Sequence, residues 1–365
     1  MLSQPNQYFN RHGISTPPFR FFYGHLKTLW NSASYYCRLQ RSLPIFVVSD
    51  PDFLHEVFIK QFSVFHARKP TMLDNIFHDI FFSSGSKWRR QRQVISPTFS
   101  ASKLKMMSPL INGCINDFEK KLPIHAENGD EFNIYLYYKR MTMDVICRCA
   151  FGIDTDVQNN QNNIYFQKVS EFFDTSGIDT NILFRFAQLK PTIETLLAGY
   201  ETTSTSLAYA TYELARHPDI LQKLQAEIDQ LPLESRDYDG DDEEIKKYPD
   251  YDIVAQMSYM DMFVSEVLRM YPIANRGIQR HAMKDTVIQG ITIEKGSIIY
   301  SDIHLVHYDR ELWGPEDPYM FYPERHQTKR HPMAYIPFGV GPRQCVDVSS
   351  TIVESIRLDE GIALT

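Results

Sequence analysis

Apolar residues recur at helical spacing along most of this chain, and strand-like alternation is confined to short pieces. The spacing predicts helices over Ala101–Leu122, Met141–Cys149, Thr192–Ala215 and Met260–Met270. Pro44–Asp50 is a brief β-branched run closed by Asp50-Pro51. Val287-Ile288, Gly290–Ile293 and Gly296–Tyr300 predict a small meander, with Glu294-Lys295-Gly296 as a turn. The segment Leu233–Asp252 is acidic and poor in apolar residues, which fits a solvated loop, with a basic partner as the alternative. No internal repeat is apparent. The expected fold class is mainly α with a small β part.

Composition narrows the functional classes. A chain of 365 residues can bury a large core, and 43% hydrophobic with 23% charged residues describes a globular protein. A net charge of −7 argues against a nucleic-acid-binding surface. Cys37, Cys114, Cys147, Cys149 and Cys345 are too scattered for a disulfide framework, so a reducing compartment is expected. Cys147-x-Cys149 lacks a second ligand pair and is read as core packing. The first thirty residues, with Thr16-Pro17-Pro18, contain no long apolar run, so neither a signal peptide nor a membrane anchor is expected in this chain.

Candidate chemistry concentrates in Phe338-Gly339-Val340-Gly341-Pro342-Arg343-Gln344-Cys345. The glycines permit tight turns and close approach to a flat ligand. Arg343 is placed to meet a negative group, and a helix expected after Cys345 would stabilise a thiolate there. A buried structural cysteine is the alternative. The stretch resembles the haem-binding loop of the cytochrome P-450 monooxygenases, Phe-x-x-Gly-x-Arg-x-Cys-x-Gly. It departs at the last position, where Asp347 replaces glycine. The resemblance implies haem b with Cys345 as axial thiolate, and Phe338, Gly341 and Arg343 lining the cofactor.

Upstream motifs keep the family's order. Ala198-Gly199-Tyr200-Glu201-Thr202 resembles the oxygen-binding helix. The Thr202 hydroxyl can turn back to the Ala198 carbonyl, and a bend beside Gly199 would open a notch with Glu201 and Thr202 as an acid–alcohol proton relay. An ordinary Thr-rich amphipathic helix is the alternative. Glu266-Val-Leu-Arg269 matches the Glu-x-x-Arg element, and Pro323-Glu324-Arg325 the segment whose arginine joins it, so Glu266, Arg269 and Arg325 are expected to be structural. Trp88 and Arg92, four apart on one helix side, resemble the family's propionate-contacting Trp-x-x-x-Arg. Arg68 and Arg280 fall at further propionate positions by looser alignment to the microsomal drug-metabolising branch, with a solvated surface charge as the alternative.

The likeness runs from about Gly24 to Val346, giving an expected leader over 1–23, a P-450-like domain over 24–346 and a divergent tail over 347–365. Only 45 residues separate Gly152 from Ala198, which implies a deletion near 155–195 among the helices that roof the pocket. The closing β-hairpin of the family is also missing from the tail. By resemblance the protein inserts one oxygen atom of O2 into an apolar small molecule. Electrons would come from an NADPH-dependent flavoprotein reductase, since the chain has no nucleotide motif of its own. The implied location is the cytoplasmic face of the endoplasmic reticulum, with peripheral membrane contact. A catalytically inactive, shortened relative that binds haem weakly is the competing expectation, motivated by Asp347 and the missing roof. A third, an all-α scaffold without cofactor, leaves the cysteine loop as coincidence.

Overall fold

The computed structural model describes residues 35–40, 43–68, 80–129, 131–160, 162–164, 166–167, 169–170, 192–231, 251–273 and 278–346. The strands are β1 (Tyr35–Gln40), β2 (Leu43–Val48), β3 (Gln279–His281), β4 (Thr286–Ile288), β5 (Ile291–Ile293) and β6 (Ile298–Ser301). The helices begin with α1 (Pro51–His55), α2 (Gly85–Ile95), α3 (Ala101–Glu119), α4 (Leu122–Asn128) and α5 (Ile134–Ile146). They continue with α6 (Thr192–Arg216), α7 (Pro218–Ile228), α8 (Tyr251–Val254), α9 (Ser258–Met270), α10 (Ile303–His307) and α11 (Arg310–Trp313). The mainly helical fold with a minor β part is thus as expected. Each foreseen helix is present, with ends shifted by up to seven residues, the largest at the start of α5 (Ile134 against the expected Met141). The leader over 1–23, Asp347 and the tail to 365 lie outside the described residues, as does most of the acidic segment.

The chain divides into two compact units. The first comprises Met1–Val94, Ala274–Met320 and Thr328–Cys345. Its sheet has the order β1-β2-β6-β3, with β2 and β6 parallel and the other pairs antiparallel. The foreseen three-stranded meander is corrected here. β4 and β5 pair as a hairpin, but β6 leaves them to sit between β2 and β3. The hairpin turn is Gln289-Gly290, both at positive φ (+49° and +79°), the geometry that matches strand twist in a two-residue turn. Beyond it, the Glu294–Gly296 turn redirects β6. Asp50 ends β2 and caps α1, accepting from the Phe53 N–H at 2.6 Å, and α1 then widens into a π-type turn over Glu56–Lys60. Phe46, Phe53, Leu54, Val57, Phe58, Ile299 and Ile336 form the core of this unit.

The second unit comprises Ile95–Ile273, Phe321–Gln327 and Val346–Thr365. α3, α5 and α6 meet through Ile111, Cys114, Ile115, Phe118, Tyr138, Met141, Val145 and Leu207. After α5 the chain turns at Gly152 (φ +64°) into a loop anchored by buried Asp144. Asp144 accepts from the Val157 and Gln158 N–H groups at 2.9 and 3.0 Å. Cys147 is buried beside Met143, Phe166 and Tyr200, and Cys149 packs against the α3–α5 core, in agreement with core packing. Burial pushes the Cys114 thiol up to about 12, and raises that of Cys147 as well. The deletion expected near 155–195 falls largely on residues outside the described set.

Candidate functional site

In the first unit the cysteine loop is built on two left-handed glycines, Gly339 (φ +72°) and Gly341 (φ +74°). A Cβ on Gly341 would stand 2.5 Å from the Phe58 carbonyl oxygen, so the loop rests on the π-type turn after α1 and only glycine fits there. The Cys345 N–H closes the loop on the Phe338 carbonyl at 3.0 Å, and the Cys345 side chain is left exposed. Cys114 and Cys147, by contrast, are buried.

Arg343 is buried and turned inward. Its guanidinium donates to the carbonyls of His66 (2.5 Å), Phe81 (3.3 Å) and Ser83, and lies over the Trp88 ring at 4.7 Å. Trp88 is buried on α2 and packs against Phe62, with ring centroids 5.7 Å apart. Arg92, one turn on, donates to the Gln344 carbonyl at 2.6 Å and reaches the Cys345 carbonyl at 3.5 Å. It therefore clamps the peptide that carries the thiol. Burial lowers the Arg92 guanidinium below its ordinary value, with the Cys345 thiolate opposing that shift. Arg68 donates to the Phe81 carbonyl at 2.9 Å and lies 3.9 Å over that ring.

Arg280 is the outlier. On β3, it is 1% exposed, lies 4.3 Å over the Phe58 ring and, among the described residues, donates only to the neighbouring Gln279 carbonyl, at 2.8 Å. Its Nε has no hydrogen-bond partner, and it joins no ion pair among the described residues. Burial, with the positive charges of Arg68 and Arg343 nearby, pushes it well below its ordinary value. A guanidinium does not deprotonate readily, so such a buried charge calls for an anion. These residues fit a flat dianionic cofactor: a loop seated by glycine, an accessible thiol and a buried cation lacking its counter-charge.

The second unit holds the other candidates. α6 runs unbroken through Gly199, and the face where a Cβ would stand is filled by Ile146 Cδ1 at 2.9 Å. On that face the glycine permits close packing of α6 against the end of α5 at Ile146. The Thr202 hydroxyl donates to the Ala198 carbonyl at 2.6 Å, as expected, and Ser206 repeats the pattern toward Thr202. Glu201 points elsewhere. One oxygen accepts from the Tyr135 O–H, and the other faces Lys139 Nζ at 3.1 Å, both on α5. Successive helical residues diverge by about 100°, so Glu201 and Thr202 share an edge without touching.

Glu266 accepts from Arg269 at 2.7 and 2.9 Å and from Arg325 at 2.9 Å, all three being essentially unexposed. His326 Nε2 stands 3.0 Å from the same carboxylate, and the Tyr322 N–H donates to it at 3.0 Å. Burial alone would raise this carboxyl. Hydrogen bonds from His326 and Arg269, and the charges of Arg269 and Arg325, overcome that and bring it down to about 2. The cluster pins the Phe321–Gln327 turn to α9. Sequence reasoning missed His326, Tyr135 and Lys139; the last two sit four apart and face α6, a spacing visible in the sequence but without a family motif.

A family model described as Cytochrome P450 matches residues 33–193 and 184–346. Among curated proteins, cytochrome P450 3A12 of Canis lupus familiaris is 31% identical over 385 residues, covering 85% of this chain and 74% of the relative. Cytochrome P450 3A5 of Homo sapiens is 30% identical over 381 residues, covering 83% and 72% respectively. The putative cytochrome P450 CYP13A3 of Caenorhabditis elegans is 28% identical over 418 residues, covering 86% and 77%.

Proposed function

This chain belongs to the cytochrome P450 family, and on that premise we propose that it is a haem-thiolate monooxygenase acting on an apolar small molecule. The observation that carries the reading is the accessible Cys345 thiol in the same unit as the buried Arg280, whose Nε has no hydrogen-bond partner among the described residues. The thiol supplies the axial ligand and the guanidinium supplies a partner for a propionate. Bound haem, held by a thiolate, provides the iron chemistry that favours O–O cleavage.

The protein's own residues divide the remaining work. Arg92 fixes the Gln344 and Cys345 carbonyls and so sets the position of the sulfur. Arg343, spanning three carbonyls over Trp88, holds the loop in register with the segments at His66 and Ser83. Arg68 and Arg280 supply positive charge to the carboxylates of the cofactor. Thr202 Oγ1 holds a proton against the Ala198 carbonyl and keeps its own lone pairs free to accept another, the property a relay hydroxyl needs. Glu201 is the acid that refills it. Electrons come from an NADPH-dependent flavoprotein reductase at the cytoplasmic face of the endoplasmic reticulum. That partner and location rest on the microsomal resemblance, and no helix among the described residues is long and apolar enough to cross a membrane.

The test is titration of the haem-free chain with haem and with its dimethyl ester. Free haem should bind more tightly than the ester, and Arg280→Met should erase most of that difference. Equal binding of both forms by the parent chain would refute the assignment of the arginines.

A further inference from the structure

The clamp on Glu201 is more elaborate than helix packing requires. Tyr135 and Lys139 stand four apart on α5 and engage separate oxygens of one carboxylate. The Lys139 ammonium is nearly buried and lies between two aromatic faces, 4.6 Å from the Tyr135 centroid and 5.6 Å from that of Tyr200. Thr205 Oγ1 adds a second polar contact to the Tyr135 hydroxyl at 3.3 Å, while itself donating to the Glu201 carbonyl at 2.6 Å. The Tyr200 hydroxyl is taken up by Ser170 at 3.3 Å and does not reach the carboxylate. Burial raises the Tyr200 phenol and favours its neutral form. Among the described residues, the charged groups that meet here are the Glu201 carboxylate and the Lys139 ammonium, and the Tyr135 hydroxyl donates directly to the acid. Tyr135 is half-buried, and the Glu201 side chain is itself 26% exposed, so water can reach the acid directly.

We propose that Tyr135 and Lys139 are positioning residues that act through Glu201, holding its carboxylate where it can take protons from water and serve Thr202. The inference rests on the relay reading given above. Glu201 takes a proton from water, passes it toward Thr202 and is left a carboxylate again, while the Tyr135 phenol keeps its own proton and serves only as a hydrogen-bond donor that aims the acid. Lys139 holds the second oxygen, keeping the carboxylate aimed at Tyr135 between turnovers. Glu201 and Thr202 do not touch in this structure, so each delivery requires the carboxylate to swing or a water to bridge.

The experiment uses the reductase-supported holoenzyme and reads peroxide formed per product, with its solvent hydrogen isotope effect. Tyr135→Phe, which keeps the ring, should raise the peroxide ratio by about fivefold, well below the roughly 10²–10⁴-fold of a lost acid–base group because Tyr135 acts only through Glu201. Lys139→Met should act in the same direction and Lys139→Arg should largely restore coupling. Tyr135→Phe should add little in a Glu201→Gln background, because its effect passes through that carboxylate. A readout independent of turnover is the infrared carboxylate band of 13C-labelled glutamate, identified by its loss in Glu201→Gln. Tyr135→Phe should shift that band. If Thr202→Ala raises the peroxide ratio but Tyr135→Phe changes neither ratio nor band, this inference is overturned while the relay stands. If Thr202→Ala also leaves the ratio unchanged, the relay reading falls and this inference with it.

Discussion

Substituting alanine at Gly341 tests whether the cysteine loop is held by the α1 turn. The residue has φ +74°, which costs an L-residue about 1–2 kcal/mol in the left-handed region. Its new Cβ would lie 2.5 Å from the Phe58 carbonyl oxygen, nearly an ångström inside ordinary contact. The obstacle is backbone, so the loop itself must move, at about 1–3 kcal/mol by analogy with overpacked cores. The combined cost is about 2–5 kcal/mol. Gly339 is an internal control. It has a similar φ of +72°, yet its Cβ would meet Ile278 Cδ1 at an unstrained 3.6 Å, so Gly339→Ala should cost only the backbone term. Urea unfolding of the two variants should differ by about 2 kcal/mol, or roughly 30-fold in the unfolding equilibrium. Haem retention after gel filtration should fall further for Gly341→Ala. Equal destabilisation by the two alanines would refute the role assigned to Phe58.

Three other outcomes follow from the same geometry. Arg280→Met should stabilise the haem-free chain toward urea, because it removes a buried charge without a counter-ion, while weakening haem binding; a less stable haem-free variant would contradict this. Glu266 is held at about 2 against an ordinary 4.5, so its stabilising contribution is fully present above about pH 4.5 and is lost as pH falls through 2. That shift is worth about 3 kcal/mol, and Glu266→Gln should flatten the acid limb of a pH-dependent unfolding curve. Thr202→Ala should spare haem binding but divert electrons to peroxide in the reductase-coupled assay, and an unchanged peroxide-to-product ratio would remove it from the relay.

Helices were legible in the sequence because their apolar spacing is long and regular, as in α6 and α9. The sheet was less so. β6 looks local to the β4–β5 hairpin in sequence, yet its partners β2 and β3 are set by packing over long separations, which periodicity does not encode. Side-chain direction was the larger gap. Adjacency in the chain made Glu201 and Thr202 look like a pair, whereas helical geometry sends the acid to α5. Gly199 looked like a weak point in a helix, and its reason is Ile146, a residue 53 positions earlier. The Glu266 cluster was legible as a motif for three members, but His326 joined it only through the fold of the Phe321–Gln327 turn. Sequence alone places Arg280 at a propionate position only by loose alignment, and its burial with no ion pair among the described residues makes it the clearest sign of an anionic ligand.

The most direct test of the account is the carbon monoxide difference spectrum of the reduced, haem-reconstituted chain, measured beside Cys345→Ser and Cys147→Ser. The account predicts the thiolate-type Soret band in the parent and in Cys147→Ser, and its loss in Cys345→Ser. A thiolate-type band that survives Cys345→Ser, or its absence from a parent chain carrying stoichiometric haem, would contradict the assignment of Cys345 as the axial ligand.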